Sequence, residues 1–177
     1  MVKNMKRIAI DMDEVIADYH SKHLAVFNRT FNETLTTADV MGTRLRELRP
    51  ELAEAIIKIA DAPDFFGDLD VIAGSQDVIR ELSEHYEIFI TTAAMEHPSS
   101  FQAKFEWLKN HFPYIHEHNY VFCGDKSIIN ADYLIDDNSR HFRRFRGQGI
   151  LFTAPHNIHE TGYVRVNSWQ EVRDYLL

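Results

Sequence analysis

The stretch Ile8-Ala9-Ile10-Asp11-Met12-Asp13-Glu14-Val15 decides how the chain is read. Three apolar residues run straight into two carboxylates one residue apart. A short apolar run stopped by polar groups is the pattern of a buried strand that projects side chains from its C-terminal end. Three further segments repeat it. Glu87-Ile-Phe-Ile90 runs into Thr91-Thr92, Tyr120-Val-Phe122 into Gly124-Asp125-Lys126, and Tyr133-Leu-Ile135 into Asp136-Asp137. Gly149-Ile-Leu-Phe152 is a fifth strand candidate. Helical patterns fall between them. Apolar spacing from Val15 to Phe27 predicts a helix from about Val15 to Arg29. Gly74-Ser75 opens a second helix running to about His85, Pro98-Ser99-Ser100 a third, and Ser168 caps a last one ending near Leu176. Strands alternating with helices predict an α/β fold, a Rossmann-like parallel sheet flanked by helices.

The region from Asn32 to Ala62 carries helical patterns broken by Pro50, with Pro63 just beyond. Its clearest segment is Glu51 to Asp61, and it shows no strand pattern. It reads as a small helical cap inserted into the sheet domain. The expected organisation is one domain over 1–177, with a core of about 1–17 and 71–177 and a cap of about 18–70.

Composition narrows the function classes. A chain of 177 residues suits one domain, and 45% hydrophobic residues supply a core. The net charge of −8 argues against a general nucleic-acid binder, which needs Lys and Arg to displace counterions. It leaves room for a small phosphorylated substrate, because one local cation reverses the local field. The single cysteine, Cys123, excludes an intramolecular disulfide and points to a reducing cytoplasm. No apolar run approaches a membrane span, so no membrane partner is expected. Homodimerisation is neither required nor excluded by the sequence.

In open parallel sheets, ligands bind beyond the carboxyl ends of the strands. The groups placed there are Asp11 and Asp13, Thr92, Lys126, and Asp136 with Asp137. Four carboxylates facing one another repel unless a cation joins them, and an all-oxygen donor set suits Mg²⁺. Lys126 and the metal would then hold a phosphate between them.

Asp11-Met-Asp13-Glu-Val15, Thr92, Lys126 and Asp136-Asp137 resemble the four ordered motifs of the haloacid dehalogenase superfamily. The segment Ile8 to Tyr19, Phe65-Phe66-Gly67, Phe89-Ile-Thr-Thr92, Lys104-Phe-Glu-Trp107, Gly124-Asp-Lys126 and Leu134-Ile-Asp-Asp137 resemble the 5′(3′)-deoxyribonucleotidase family within it. The resemblance implies a Mg²⁺-dependent phosphatase for nucleoside monophosphates that works through an aspartyl-phosphate. Asp11 would be the nucleophile and Asp13 the general acid/base. Asp11, Asp13 (through its backbone carbonyl), Asp136 and Asp137 would hold the metal, with the direct ligand of the last pair left open. Thr92, Lys126 and Lys104 would bind phosphate. Tyr19, Phe65 and Phe66 would flank the base. The second carboxylate favours phosphate ester hydrolysis, because dehalogenase members lack it. Glu14 and Ala93 depart from the pattern, standing where many relatives have Gly and where the animal nucleotidases carry Ser. Two other readings remain: a phosphatase for another small ester such as a sugar phosphate, and an idle nucleotide-binding protein of the same fold.

Other features read more plainly. Asp18 suits a helix cap, and Phe105 and Trp107 suit helix packing. Arg140, Arg143, Arg144 and Arg146 suit a solvated helix face. The ten histidines read as scattered surface residues, without the spacing of a zinc site.

Overall fold

The computed structural model describes residues 5–177. Six strands form one sheet in the order β3-β2-β1-β4-β5-β6: β1 (Arg7–Asp11), β2 (Glu87–Thr92), β3 (Tyr120–Phe122), β4 (Tyr133–Asp136), β5 (Gln148–Phe152) and β6 (Val164–Val166). Every pairing is parallel. Parallel sheets are buried on both faces, and β1 shows why its sequence is so uniformly apolar. Ile8 and Ile10 enter the main core with Trp107 and Trp169, while Ala9 packs with Leu134 and Phe145 in a separate cluster.

The order runs outward from β1 on one side and from β4 on the other, so the topology reverses between these two strands. That is where an open parallel sheet forms its ligand crevice. The register places Ile10 beside Ile135 and Asp11 beside Thr91. Asp11 and Asp136 therefore leave adjacent strand ends together.

The helices are α1 (Tyr19–Phe31), α2 (Leu45–Leu48), α3 (Ala53–Ile59), α4 (Ser75–Leu82), α5 (Phe101–His111) and α6 (Trp169–Leu176). Helix α1 starts four residues later than its apolar pattern predicts. Val15, Ile16 and Ala17 are fully buried in the core, not spaced along a helix face. They belong to a tight turn in which Ile16 and Ala17 both donate to the Met12 carbonyl. Asp18 then caps α1 by accepting from the Ser21 N–H at 2.9 Å, and Asn32 ends it in the left-handed region. Between α1 and α4 lie α2, α3 and short 3₁₀ turns. Leu24, Phe27, Val40, Leu45 and Ile56 form a small core of their own there. Strand β6 is absent from the sequence reading. It is three residues long, and Arg165 interrupts its apolar pattern by turning aside to bond Thr153 and Asn157.

Candidate active site

The turn after β1 sends its two carboxylates to two different lysines. Asp11 pairs with Lys126, whose Nζ also lies 2.5 Å from Asp136 Oδ2. Asp13 turns the other way, its Oδ2 2.5 Å from Lys104 Nζ on α5. Lys104 also donates to Thr92 Oγ1 at 2.9 Å and stands 4.2 Å from the centre of the Phe66 ring. Both ammonium groups are almost fully enclosed, at 1% for Lys126 and 2% for Lys104. A lysine is buried at this depth only when its charge is matched, and here carboxylates match it.

The Lys126 corner holds the acid cluster. Carboxylate oxygens of Asp11, Asp136 and Asp137 lie within 4.8 Å of one another. Burial pushes the Asp11 carboxyl up to about 7, with Lys126 opposing that rise and Asp136 and Asp13 adding to it. Asp137 is raised well above the carboxylate range, by burial first and then by Asp136, Asp11 and Glu14. Burial works against the Lys126 charge, but Asp11 and Asp136 outweigh it and hold the ammonium above its ordinary value. Such an accumulation of crowded, desolvated carboxylates is the environment that a divalent cation relieves. The Asp13 side chain stands apart from the three-aspartate cluster. Its backbone carbonyl takes no part in the turn's hydrogen bonds, in which Glu14 donates to Ala17 and the Met12 carbonyl accepts twice. Its Oδ1 is buried without a partner.

Asp11, Asp13, Lys104, Asp136 and Asp137 open into a cavity of about 270 Å³ between the sheet edge and the helical segment, while Lys126 and Thr92 lie buried behind them. Tyr19, His23, Ile56 and Phe66 give it one apolar wall. Tyr19 and Phe66 stack with ring centroids 5.9 Å apart. Phe65 does not line the cavity. It packs behind, edge-on to Tyr19 and under the Lys22 ammonium. The adjacent residues Phe65 and Phe66 point differently, so only one of the pair faces the space where a base would lie.

The structure adds residues that the sequence did not single out. His20, His23, His97, His141 and His156 line the cavity, so half of the histidines read as scattered surface groups converge there. Burial is the first cause that lowers the His156 ring, to about 4. Arg140 belongs to a 3₁₀ turn, pairs with Glu96 and reaches the cavity rim. Asn157 is fully buried and donates to the Asp137 carbonyl at 2.8 Å, fixing the backbone of the acid pair. Its signal was hidden in a loop remote from every motif. Glu14 takes a positive φ of 63°, the backbone state that glycine adopts freely. That explains why Glu at this position is a departure. Its carboxyl is enclosed enough for desolvation to push it up to about 8.

The fold is that of the haloacid dehalogenase-like hydrolases. A haloacid dehalogenase-like hydrolase from Streptococcus pneumoniae shares the fold with a TM-score of 0.67 at 15% identity, covering 98% of this chain and 99% of that one. A hydrolase of the same class from Bacillus subtilis, whose structure was solved with bound magnesium, gives 0.63 at 13% identity, covering 98% and 99%. The model of the family described as "5′ nucleotidase, deoxy (Pyrimidine), cytosolic type C protein" matches residues 4–177, and the chain belongs to that family. Among its relatives, a provisionally named 5′(3′)-deoxyribonucleotidase of Staphylococcus epidermidis is 43% identical over 96% of this chain and 95% of its own length. The 5′(3′)-deoxyribonucleotidase of Bacillus subtilis strain 168 is 41% identical over 97% and 99%.

Proposed function

We propose that the chain hydrolyses deoxyribonucleoside monophosphates at the 5′ or 3′ position to nucleoside and phosphate, through an aspartyl-phosphate on Asp11. The observation that carries this reading is the division of one turn between two lysines. Asp11 is held in the acid cluster by Lys126, and Asp13 is held apart from it by Lys104. This division supports a reading in which one carboxylate attacks phosphorus and the other transfers protons.

Asp11 forms the new P–O bond as the ester P–O bond breaks. Asp13 delivers a proton to the departing nucleoside oxygen, then takes one from the water that frees the phosphate. Lys104, Lys126 and the Thr92 hydroxyl bind the phosphoryl oxygens; Lys104 and Thr92 are already in contact, and Lys126 stands on Asp11 itself. Asp11, Asp136, Asp137 and the Asp13 carbonyl would hold a divalent cation, for which an all-oxygen set favours Mg²⁺. When bound, the metal supplies charge neutralisation at the phosphoryl group. Tyr19 and Phe66 offer aromatic faces to the base, and the family relationship supports a nucleotide over a sugar phosphate. The helical segment 18–70 acts as the cap that carries Tyr19 and Phe66 to the core.

A panel of deoxyribonucleotides, ribonucleotides and sugar phosphates, each with Mg²⁺ and with EDTA, tests this reading. Turnover of deoxyribonucleotides well above sugar phosphates, lost in EDTA and restored by Mg²⁺, is expected. Preference for sugar phosphates, nucleotide binding without turnover, or activity indifferent to chelation would overturn it.

A further inference from the structure

We propose that Glu14 is a positioning residue that fixes the first cap helix, and with it Tyr19, against the nucleophile's turn. The inference rests on the phosphatase reading above and deepens it.

A helix begins with backbone N–H groups that have no partner within it. In α1 the Tyr19 N–H donates to the Ala17 carbonyl at 2.9 Å, and the Ser21 N–H donates to Asp18 Oδ1 at 2.9 Å. The His20 N–H between them donates to Glu14 Oε1. Asp18 is the ordinary cap from the position before the helix. Glu14 is a second cap reaching from six residues upstream, one residue beyond the general acid/base.

The backbone is arranged for that reach. Glu14 and Asn32 are the only non-glycine residues with positive φ among the described residues, at 63° and 53°, and they lie on either side of α1. Asn adopts this state readily, whereas a long side chain such as Glu does so at a cost. The chain enters and leaves the helical segment at a neck where Asp18 N–H donates to Asp70 O at 2.8 Å and Ile72 N–H to Ile16 O at 2.9 Å. Trp169 Nε1 fastens the turn itself to the core through the Val15 carbonyl at 2.8 Å. The turn reaches the helix twice, through the Ala17 carbonyl to Tyr19 and through the Glu14 side chain to His20. The first residue of the helix is Tyr19, whose ring lines the cavity together with Asp11 and Asp13. The segment as a whole is also held to the core by Gly42 N–H to Pro155 O at 2.8 Å and by His97 to Asp61 at 2.7 Å, so the Glu14–His20 bond acts locally, setting the first turn of α1 and the Tyr19 ring against the reacting groups. Arg44, also at the cavity, is near enough to bear on the Glu14 charge and offers a competing reason for the residue.

Two neutral substitutions separate these roles. Glu14→Gln and Glu14→Gly are both uncharged at every pH, but only glutamine keeps an oxygen that can accept from His20. Gly also relieves the positive φ, so its backbone is not penalised. In Glu14→Gly the KM for a deoxyribonucleotide should rise about tenfold, while turnover of p-nitrophenyl phosphate, which has no nucleoside to place, stays within about twofold of wild type. Glu14→Gln should stay near wild type on both. Hydrogen exchange at the His20 and Ser21 amides should quicken in the glycine variant and not in the glutamine one. Glutamine and glycine variants that behave alike, equal losses on both substrates, or an unchanged nucleotide KM in the glycine variant would overturn the proposal. If the glycine variant fails to fold, Glu14→Asn repeats the test with a side chain that tolerates the backbone and is too short to reach His20. A wild-type protein inactive on every nucleotide would overturn the phosphatase reading instead, leaving the exchange comparison to decide Glu14 alone.

Discussion

The strand-end corner around Asp11 and the cavity wall around Tyr19 are built on different principles. In the corner, Asp11, Thr92 and Asp136 end strands whose neighbours hold them by backbone register, and the buried Lys126 ties Asp11 to Asp136. The wall is made by residues of the helical segment, which has a small core of its own but sends Tyr19 and Phe66 to pack against the main core. Rigidity is placed differently in the two. In the proposed reaction, chemistry that depends on fractions of an ångström sits at the sheet edge. Recognition of the base, which tolerates small shifts of a stacked ring, falls to residues of the helical segment.

Lys104 stands between the two regions, touching Asp13 and Thr92 on one side and the Phe66 ring on the other. Lys104→Met keeps most of the side-chain volume and removes the charge. It should lower kcat about 10²–10³-fold on nucleotides and aryl phosphates alike, because the loss falls on phosphoryl oxygens common to both. Steady-state kinetics with both substrates checks this; a loss confined to nucleotides would move Lys104 from the corner to the wall. Tyr19→Leu should show the opposite split. Its nucleotide KM should rise about tenfold, as the loss of one aromatic platform implies, with aryl phosphate turnover little changed. Equal effects on the two substrates would erase the distinction between the regions.

The sequence showed the corner far better than the wall, for a physical reason. A buried parallel strand must be apolar and must stop where it meets the crevice, so Asp11, Thr92, Lys126 and Asp136 are marked by abrupt changes in polarity. The wall has no such mark. Phe65 and Phe66 are equally aromatic in text, yet only Phe66 faces the cavity, because the turn that carries them sends adjacent side chains to different sides. The five cavity histidines come from four separate loops or helices and share no spacing. Val15 and Ile16 look like a helix face and are core residues of a turn. Glu14 was visible only as an odd residue beside a motif. Its meaning needed the backbone angle and the partner on α1.

A smaller effect separates the corner's electrostatics from the rest of the protein. Asp11 and Glu14 bind protons more tightly in the folded chain than their ordinary values, at about 7 and about 8, and Asp137 is shifted the same way. Raised carboxyls contribute stability below their unfolded values and lose it as pH rises through the folded ones. Up to about pH 7.5 the lowered histidines, His156 among them, push the other way; above it they are largely neutral in both states and the carboxyls dominate. In EDTA the melting temperature should therefore fall between about pH 7.5 and about pH 9. Mg²⁺ should flatten the fall, since it binds the deprotonated cluster. Thermal melts in the two buffers check the sign; a rise with pH in EDTA would contradict it.

The account stands on Asp11 as the nucleophile. Quenching the enzyme in acid during turnover of a deoxyribonucleotide, then mapping its peptides by mass, tests that most directly. A phosphoryl group is expected on the peptide containing Asp11 and none in the Asp11→Asn variant, which should be folded but inactive. Turnover near the wild-type rate in Asp11→Asn, or a phosphoryl group trapped on a different residue, would contradict it.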